Sequence, residues 1–261
     1  MSAFALLLIA VGVADLARSA AEQRGVRGDP ATSRRVHRIG TEVGIVTVWL
    51  VAALTGLLVT PAGWALALLA SVSVAAWLIT SGWALTRERG HVIALSTLAV
   101  GLLLQLALSG WAPPAGGTLG LWTDWATLPQ DPEPERALLV LGLALVQLST
   151  GNLIVRLVLI STGAMSASPT ASQPSEELKG GRLLGPLERL FILGLGLAGQ
   201  VTAAGLVIAA KGLIRWPELR AHSRPGSEGH RRSDIDTVTE YFLVGSFVSW
   251  LVALGALALA A

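Results

Sequence analysis

The stretch that decides the architecture is GRLLGPLERLFILGLGLAGQVTAAGLVIAAKGLIRW, Gly181 to Trp216. From Leu183 to Arg215 it offers about 33 residues of mainly apolar chain, whereas one upright membrane helix needs ~20. Gly199-Gln200 falls at the midpoint, so the spacing predicts a tight helical hairpin over residues 183–215 rather than one long span. Each arm of ~16 residues, at ~1.5 Å per residue, reaches ~24 Å, which crosses a ~30 Å hydrocarbon layer only where the membrane thins or charged ends snorkel. Two short spans and a re-entrant pair both remain open for this segment.

Outward from the hairpin the chain is equally apolar. Hydrophobic residues make up 52% of it, 29 more residues are Gly, and only 14% are charged, against ~25% in soluble domains. Mean hydropathy is +0.63. Further apolar runs predict helices near residues 3–17, 39–59, 64–85, 91–110, 137–162 and 237–260. The expected fold is therefore all-α, a polytopic transmembrane bundle of about eight helices including the hairpin. Its expected regions are five helices over residues 1–162, a Ser/Pro/Ala-rich cytoplasmic linker over 163–182, and a C-terminal membrane region over 183–261. Between the fourth and fifth helices, LGLWTDWATL predicts a short segment at the membrane surface, where indole rings prefer to sit. The order helix, long loop, hairpin, basic loop, helix occurs twice, a faint tandem pattern of the kind parallel-repeat transporters show.

Charge placement sets the expected orientation. No Lys or Arg precedes the first run, so it lacks the basic start of a secretory signal and reads as a retained helix with its N-terminus outside. Of the 19 Lys and Arg, Arg136 alone falls in an outer segment, and Arg156, Arg189 and Lys211 fall within apolar runs. All the others lie in or beside loops that eight spans would place inside, as the positive-inside tendency requires. Both termini are then expected outside a bacterial cytoplasmic membrane; the bacterial assignment rests on an Arg-, Ala-, Leu- and Gly-rich composition typical of high-GC genomes.

The residues that bear on function are the polar ones in apolar runs. Asp15, Asn152, Arg156, Glu188, Arg189, Lys211 and Glu240 are the candidate intramembrane cluster, with Glu42 at similar depth and the turn Gly199-Gln200 on the opposite side. Buried charge in hydrocarbon pairs, faces water or snorkels. In a hairpin centred between Gly199 and Gln200, Glu188 stands level with Lys211 and Gly194 with Gly205. The first pair predicts an ion pair and the second a close backbone approach. Helix rotation forbids both from facing squarely, since six residues turn a helix by ~240°. Gln105, Gln147 and Asn152 read as interhelical hydrogen-bonding groups, with solute binding as the sharper alternative.

Several chemistries are excluded. The chain has no Cys, so there is no disulfide, thiolate nucleophile or cysteine-ligated metal. No Gly-x-Ser-x-Gly, phosphate loop or His-Glu-x-x-His occurs, and His37, His91, His222 and His230 match no dedicated ligand spacing. No catalytic residue, cofactor or metal is therefore assigned, and an enzyme is disfavoured. Nucleic-acid binding would need stacking aromatics or a folded reader, which are absent.

The last third of the chain carries a resemblance. Gly185 and Leu187-Glu188-Arg189 precede the first arm, Gly199-Gln200 makes the turn, Ala209-Ala210-Lys211 ends the second arm, and Glu240-Tyr241 opens the last helix. In these features the chain resembles the C-terminal part of a bacterial family of multi-pass membrane proteins of unknown function. Some members of that family begin with an apolar segment bearing both His and Asp; here Asp15 stands without a His. The resemblance implies a multi-pass membrane protein and no particular reaction.

Two functional readings follow. A membrane scaffold or sensor component would meet anionic lipid headgroups, a protein partner or a second copy through its basic inner loops. A transporter or channel for an ion, proton or small lipid-like solute would use the embedded charges and the broken-looking hairpin.

Overall fold

The computed structural model describes residues 2–24, 30–87, 89–125, 133–165, 181–222 and 231–260; side chains at 30–34, 122–125, 181–183, 211–212, 214–222 and 231–240 lie outside that description. The described residues are all-helical. They form α1 (Ser2–Arg24), α2 (Pro30–Leu54), α3 (Pro61–Arg87), α4 (His91–Leu108), α5 (Gly117–Trp125), α6 (Pro134–Leu148), α7 (Thr150–Ser161), α8 (Gly181–Leu197), α9 (Val201–His222) and α10 (Arg231–Ala260). Five of these, α1, α2, α3, α4 and α10, are long and apolar enough to cross a membrane, and the bent pair α6–α7 makes a sixth if it counts as one span. The surface has the same character: Val46, Leu50, Val72, Val92, Ile93, Val100, Leu103, Leu243 and Phe247 are all exposed. Apolar groups on that scale belong against lipid, and the chain is a membrane-embedded helical protein.

The helices form two compact units, Met1–Thr150 with Ala260, and Gly151–Leu259 with Ala261. In the first, α1 is the central rod. Its residues from Ser2 to Gly12 are all buried, because the run AFALLLIAVG is apolar on every face and α2, α3, α4 and α6 pack around it. A helix without a polar face is stable only when surrounded. Small residues set how closely the neighbours approach. A Cβ added at Gly44 of α2 would stand 2.9 Å from Ala14 Cβ of α1 and 2.6 Å from Val74 Cγ1 of α3, and one at Gly12 would stand 2.8 Å from Leu145 Cβ of α6. Gly40 and Gly44 thus form a small-xxx-small seam against Ala14.

Tryptophans mark the depth of this unit. Trp49 and Trp64 pack with ring centroids 5.4 Å apart and planes tilted by 55° at one end of α2 and α3, where Trp111 is also exposed. Trp83, at the other end of α3, has the Arg87 guanidinium 5.6 Å above its ring. Trp64 and Trp83 are 19 positions apart, which at ~1.5 Å per residue is about 28 Å, close to the thickness of a hydrocarbon core. The segment containing LGLWTDWATL is helical over α5 and rests on the α2–α3 turn, where Gly116 N–H donates to Thr55 O at 3.0 Å and Thr118 Oγ1 to Leu54 O at 3.2 Å.

Several boundaries differ from expectation, each for a local reason. α1 continues past Ala17 to Arg24, because Arg18 turns inward and is held there. The basic segment before the second span is helical from Pro30, whose fixed φ suits a first helical position. α2 stops at Leu54, where Gly56 takes φ 73°. The fifth helix, expected unbroken, changes direction by 48° at Ser149, within Ser149-Thr150-Gly151-Asn152, a run of poor helix formers. α9 and α10 extend into the last basic loop, to His222 and from Arg231, and residues 223–230 lie outside the description.

In the second unit the hairpin turn forms at Gly199-Gln200. Gly199 has φ 73°, its N–H donates to Gly196 O at 3.0 Å, and Gln200 N–H donates to Leu195 O at 2.8 Å. This is a Schellman closure, and only Gly takes that left-handed position without strain. The arms meet through Ile192 and Ala204, joined by Ala253 of α10, with Leu195, Ile208 and Trp250 against them. The expected Gly194–Gly205 contact is absent: a Cβ at either would meet nothing within 4 Å. Rotation along the arms turns both outward, and Gly196 takes the close approach instead, against Leu257.

Candidate functional site

Each unit holds a buried arginine next to an acidic residue. In the first, Asp15 lies on α1 and is 1% exposed. Its Oδ2 accepts from Trp77 Nε1 of α3 at 3.0 Å and from Thr150 Oγ1 at 2.8 Å. Arg18, one turn further along α1, places Nη2 3.4 Å from Asp15 Oδ1 and donates through Nη1 to Ser81 Oγ at 3.0 Å. Ser81 sits one turn beyond Trp77 on α3, so the i, i+3 pair of α1 meets the i, i+4 pair of α3 face to face. Glu22, half-exposed, lies 4.0 Å from Arg18 on the outer side. The ring of His37 from α2 lies against the backbone of the next residue, where a Cβ on Gly82 would come within 2.6 Å of His37 Cε1. Trp77 is six positions from Trp83, so this cluster lies about 9 Å inside the basic end of the unit.

In the second unit Arg189 of α8 is also 1% exposed. Its Nη2 donates to Asn152 Oδ1 of α7 at 2.7 Å and its Nη1 to Ser249 Oγ of α10 at 3.1 Å. The guanidinium runs across Gly151, where a Cβ would stand 2.8 Å from Nε, so a side chain at that position would occupy the arginine's path. The neighbouring Glu188 accepts from Trp250 Nε1 of α10 at 3.1 Å.

The two clusters use the same parts. In each, an indole N–H donates to a carboxylate and an arginine donates to a serine hydroxyl. Physical chemistry favours this choice in hydrocarbon. Indole N–H is a donor with no acceptor to leave unsatisfied, and a hydroxyl can accept from a guanidinium while passing its own proton to a carbonyl. Ser81 does this, donating to Leu78 O at 3.3 Å. The likeness is not a tandem repeat, because the acid and arginine come from α1 in one unit and from α8 in the other, positions that do not correspond in the twofold pattern of the sequence.

The residues singled out from sequence are distributed as follows. Asp15 belongs to the first cluster, and Asn152, Glu188 and Arg189 belong to the second. Arg156 is exposed on α7. Glu42 is at the surface, paired with Arg38 at 3.1 Å. The side chains of Lys211 and Glu240 lie outside the description, and with them the Glu188–Lys211 pairing. Gly199 and Gln200 form the exposed turn. Gln105 donates from Nε2 to Leu66 O of α3 at 2.9 Å, an interhelical bond, and Gln147 is buried on α6.

Sequence reasoning missed Arg18, Trp77, Ser81, Thr150, Ser249 and Trp250. Two signals for them were present. Asp15 and Arg18 stand one turn apart, and Trp77 lies well inside α3 rather than at a headgroup-facing end, which marks an indole with a buried partner. Nothing in the sequence indicated that Arg18 was buried, since an arginine at the end of an apolar run ordinarily faces the interface.

Among the described residues both clusters hold their charge in hydrogen bonds to neighbouring helices. Among the described residues no three His, Asp or Glu side chains converge as metal ligands. An open apolar groove of about 360 Å³ runs along α8, lined by Leu187, Leu190, Phe191, Gly194 and Leu195. Comparison with family models, with curated proteins and with solved structures finds no match.

Proposed function

We propose that this protein is a non-catalytic scaffold or sensor component of a bacterial cytoplasmic membrane, whose basic face meets anionic lipid headgroups or a protein partner. The observation that carries the reading is the closure of both clusters. Asp15 and Arg189 are each 1% exposed and held by partners on neighbouring helices. Charges enclosed in this way by hydrogen-bonding partners fasten helices together, whereas a solute pathway requires water or solute to reach the charges. Exposed basic charge lies at one end of the first unit, where Arg24 and Arg87 stand in the last turns of α1 and α3 and Arg38 lies about two turns into α2. Placing that end in the cytoplasm puts both termini outside and agrees with the resemblance of the last third to a bacterial multi-pass family.

The test is charge reversal at the basic face, Arg34→Glu with Arg35→Glu and Arg38→Glu, or Arg231→Glu with Arg232→Glu. Co-purifying lipids and proteins are then identified from native membranes. Loss of a specific partner or of anionic lipid is expected; an unchanged set in both variants would refute the reading.

A second reading, a transporter or channel, is favoured by one observation, the 48° break in the α6–α7 stretch beside Thr150 and Asn152. Interrupted helices next to buried charge are common at transport sites. Reconstituted vesicles carrying Asp15→Asn would then lose a proton or ion flux that the wild-type protein supports; no flux in either would end this reading.

A further inference from the structure

Two arginines of the second unit have opposite fates. Arg189 is buried and both its terminal nitrogens are engaged. Arg156, on α7, is exposed and makes no ion pair or side-chain hydrogen bond among the described residues. The residue one turn before it does not offer a partner, because the Asn152 amide oxygen is already taken by Arg189. Leu153, Leu157 and Leu159 of α7 are buried, and Leu159 lies 3.4 Å from where a Cβ on Gly245 of α10 would stand. Arg156, between them in the chain, stays exposed.

The helix end does not use Arg156 either. Gly163 has φ 79°, its N–H donates to Ile160 O at 3.2 Å, and Met165 N–H donates to Leu159 O at 3.1 Å, so the last carbonyls are closed by the chain itself. Ser161 and Thr162 turn their hydroxyl protons back to Val158 O and Leu159 O. An unpaired guanidinium in an apolar helix must reach water or an anion. Arg156 is six positions from Thr162, about 9 Å along the axis, a depth from which a long side chain snorkels to the headgroup layer.

We infer that Arg156 is a lipid-recognition residue that binds the phosphodiester of an anionic phospholipid on the outer face of α7. The guanidinium matches a phosphate in charge and in its forked donor geometry. Ile160, half-buried one turn further along the same side of α7, offers the acyl chains an apolar contact. At this depth a phosphate reaches Arg156 from the adjacent leaflet without a second protein. The site depends on α7 being in the membrane and is separate from the basic loops invoked above.

The experiment is native mass spectrometry of the full-length protein in detergent, titrated with phosphatidylglycerol or phosphatidylcholine, for wild type, Arg156→Gln and Arg156→Lys. Arg136→Gln, at an exposed position assigned to no binding face, serves as the surface control. The expected result is one phosphatidylglycerol bound about tenfold more tightly than phosphatidylcholine, lost in Arg156→Gln, weakened in Arg156→Lys and unchanged in Arg136→Gln. Equal affinity for the two lipids in wild type, or the same tight phosphatidylglycerol in Arg156→Gln, overturns the proposal. So does efficient disulfide dimerisation of Arg156→Cys that is indifferent to lipid, since a second copy would then occupy the face. If Arg156→Gln does not fold, the wild-type lipid preference and Arg156→Lys still decide the matter. Loop charge reversal leaves this lipid in place even if the scaffold reading fails.

Discussion

Arg18→Met isolates what the first cluster contributes. In the wild type Arg18 supplies the cation beside Asp15 Oδ1 at 3.4 Å and the donor to Ser81 at 3.0 Å. Methionine keeps much of the side-chain volume and removes both. Asp15 would then be a 1% exposed carboxylate held only by Trp77 and Thr150. Breaking a buried ion pair from one side costs about 3–5 kcal/mol, because the remaining charge is stranded. Asp15→Leu strands Arg18 less completely. Glu22 is 4.0 Å from it and its side chain is 53% exposed, so the guanidinium can turn toward the surface. Its main cost is two buried donors, Trp77 Nε1 and Thr150 Oγ1, at about 1–3 kcal/mol each. In the double variant Asp15→Leu with Arg18→Met no charge remains although the two stranded donors do, so its cost should fall short of the sum of the two single losses by about 2 kcal/mol. The assay is equilibrium unfolding of the purified protein in mixed micelles, with all four members of the cycle measured under one condition. A cost below about 1 kcal/mol for Arg18→Met, or single losses that simply add in the double variant, would refute the argument that this pair is a closed electrostatic clamp.

Other positions give sharper yes-or-no outcomes. Gly44→Leu would drive a side chain into Val74 and Ala14, both already within 3 Å of a bare Cβ; loss of the folded protein from the membrane fraction is expected, while Gly205→Ala, which meets nothing within 4 Å, should be neutral or stabilising by up to about 1 kcal/mol. Gly199→Val should destabilise the hairpin by at least about 1–2 kcal/mol because of its φ of 73°, read as faster proteolysis at the turn; equal protection would show that the Schellman closure does not form. Gly151→Ala should displace the Arg189 guanidinium and cost about 1–3 kcal/mol, and Arg189→Met combined with it should cost no more than Arg189→Met alone. Single-tryptophan variants retaining only Trp64, Trp77 or Trp83, quenched by lipids labelled at graded depths, should place Trp64 and Trp83 at the two interfaces and Trp77 about 9 Å inside; Trp77 quenched at headgroup depth would overturn the placement of Asp15.

What could be read from the chain alone follows from local rules. Apolar run lengths fix which segments can form membrane helices, since the unsatisfied backbone in hydrocarbon permits little else. Gly199-Gln200 at the middle of an overlong run identified the turn, because a left-handed residue is needed there and Gly supplies it. Asp15 and Arg189 stood out as polar residues in apolar surroundings. The sequence could not show which helix lies in the middle. Four neighbours of α1 are about as apolar as α1 itself, and a hydrophobic pattern does not separate a lipid-facing surface from a protein-facing one. Packing made that choice, through the glycines that let α2 and α6 approach α1 closely. The partners within each cluster were hidden for the same reason. Trp77 reaches Asp15 across 62 positions and Ser249 reaches Arg189 across 60, and no local spacing encodes such pairs. Tertiary structure also separated the two arginines: α8 turns Arg189 inward onto Gly151, while α7 turns Arg156 outward. Sequence thus determined which charges are expensive to bury, and the tertiary structure decided which of them are paid for by a neighbour and which are left to find a partner in the lipid.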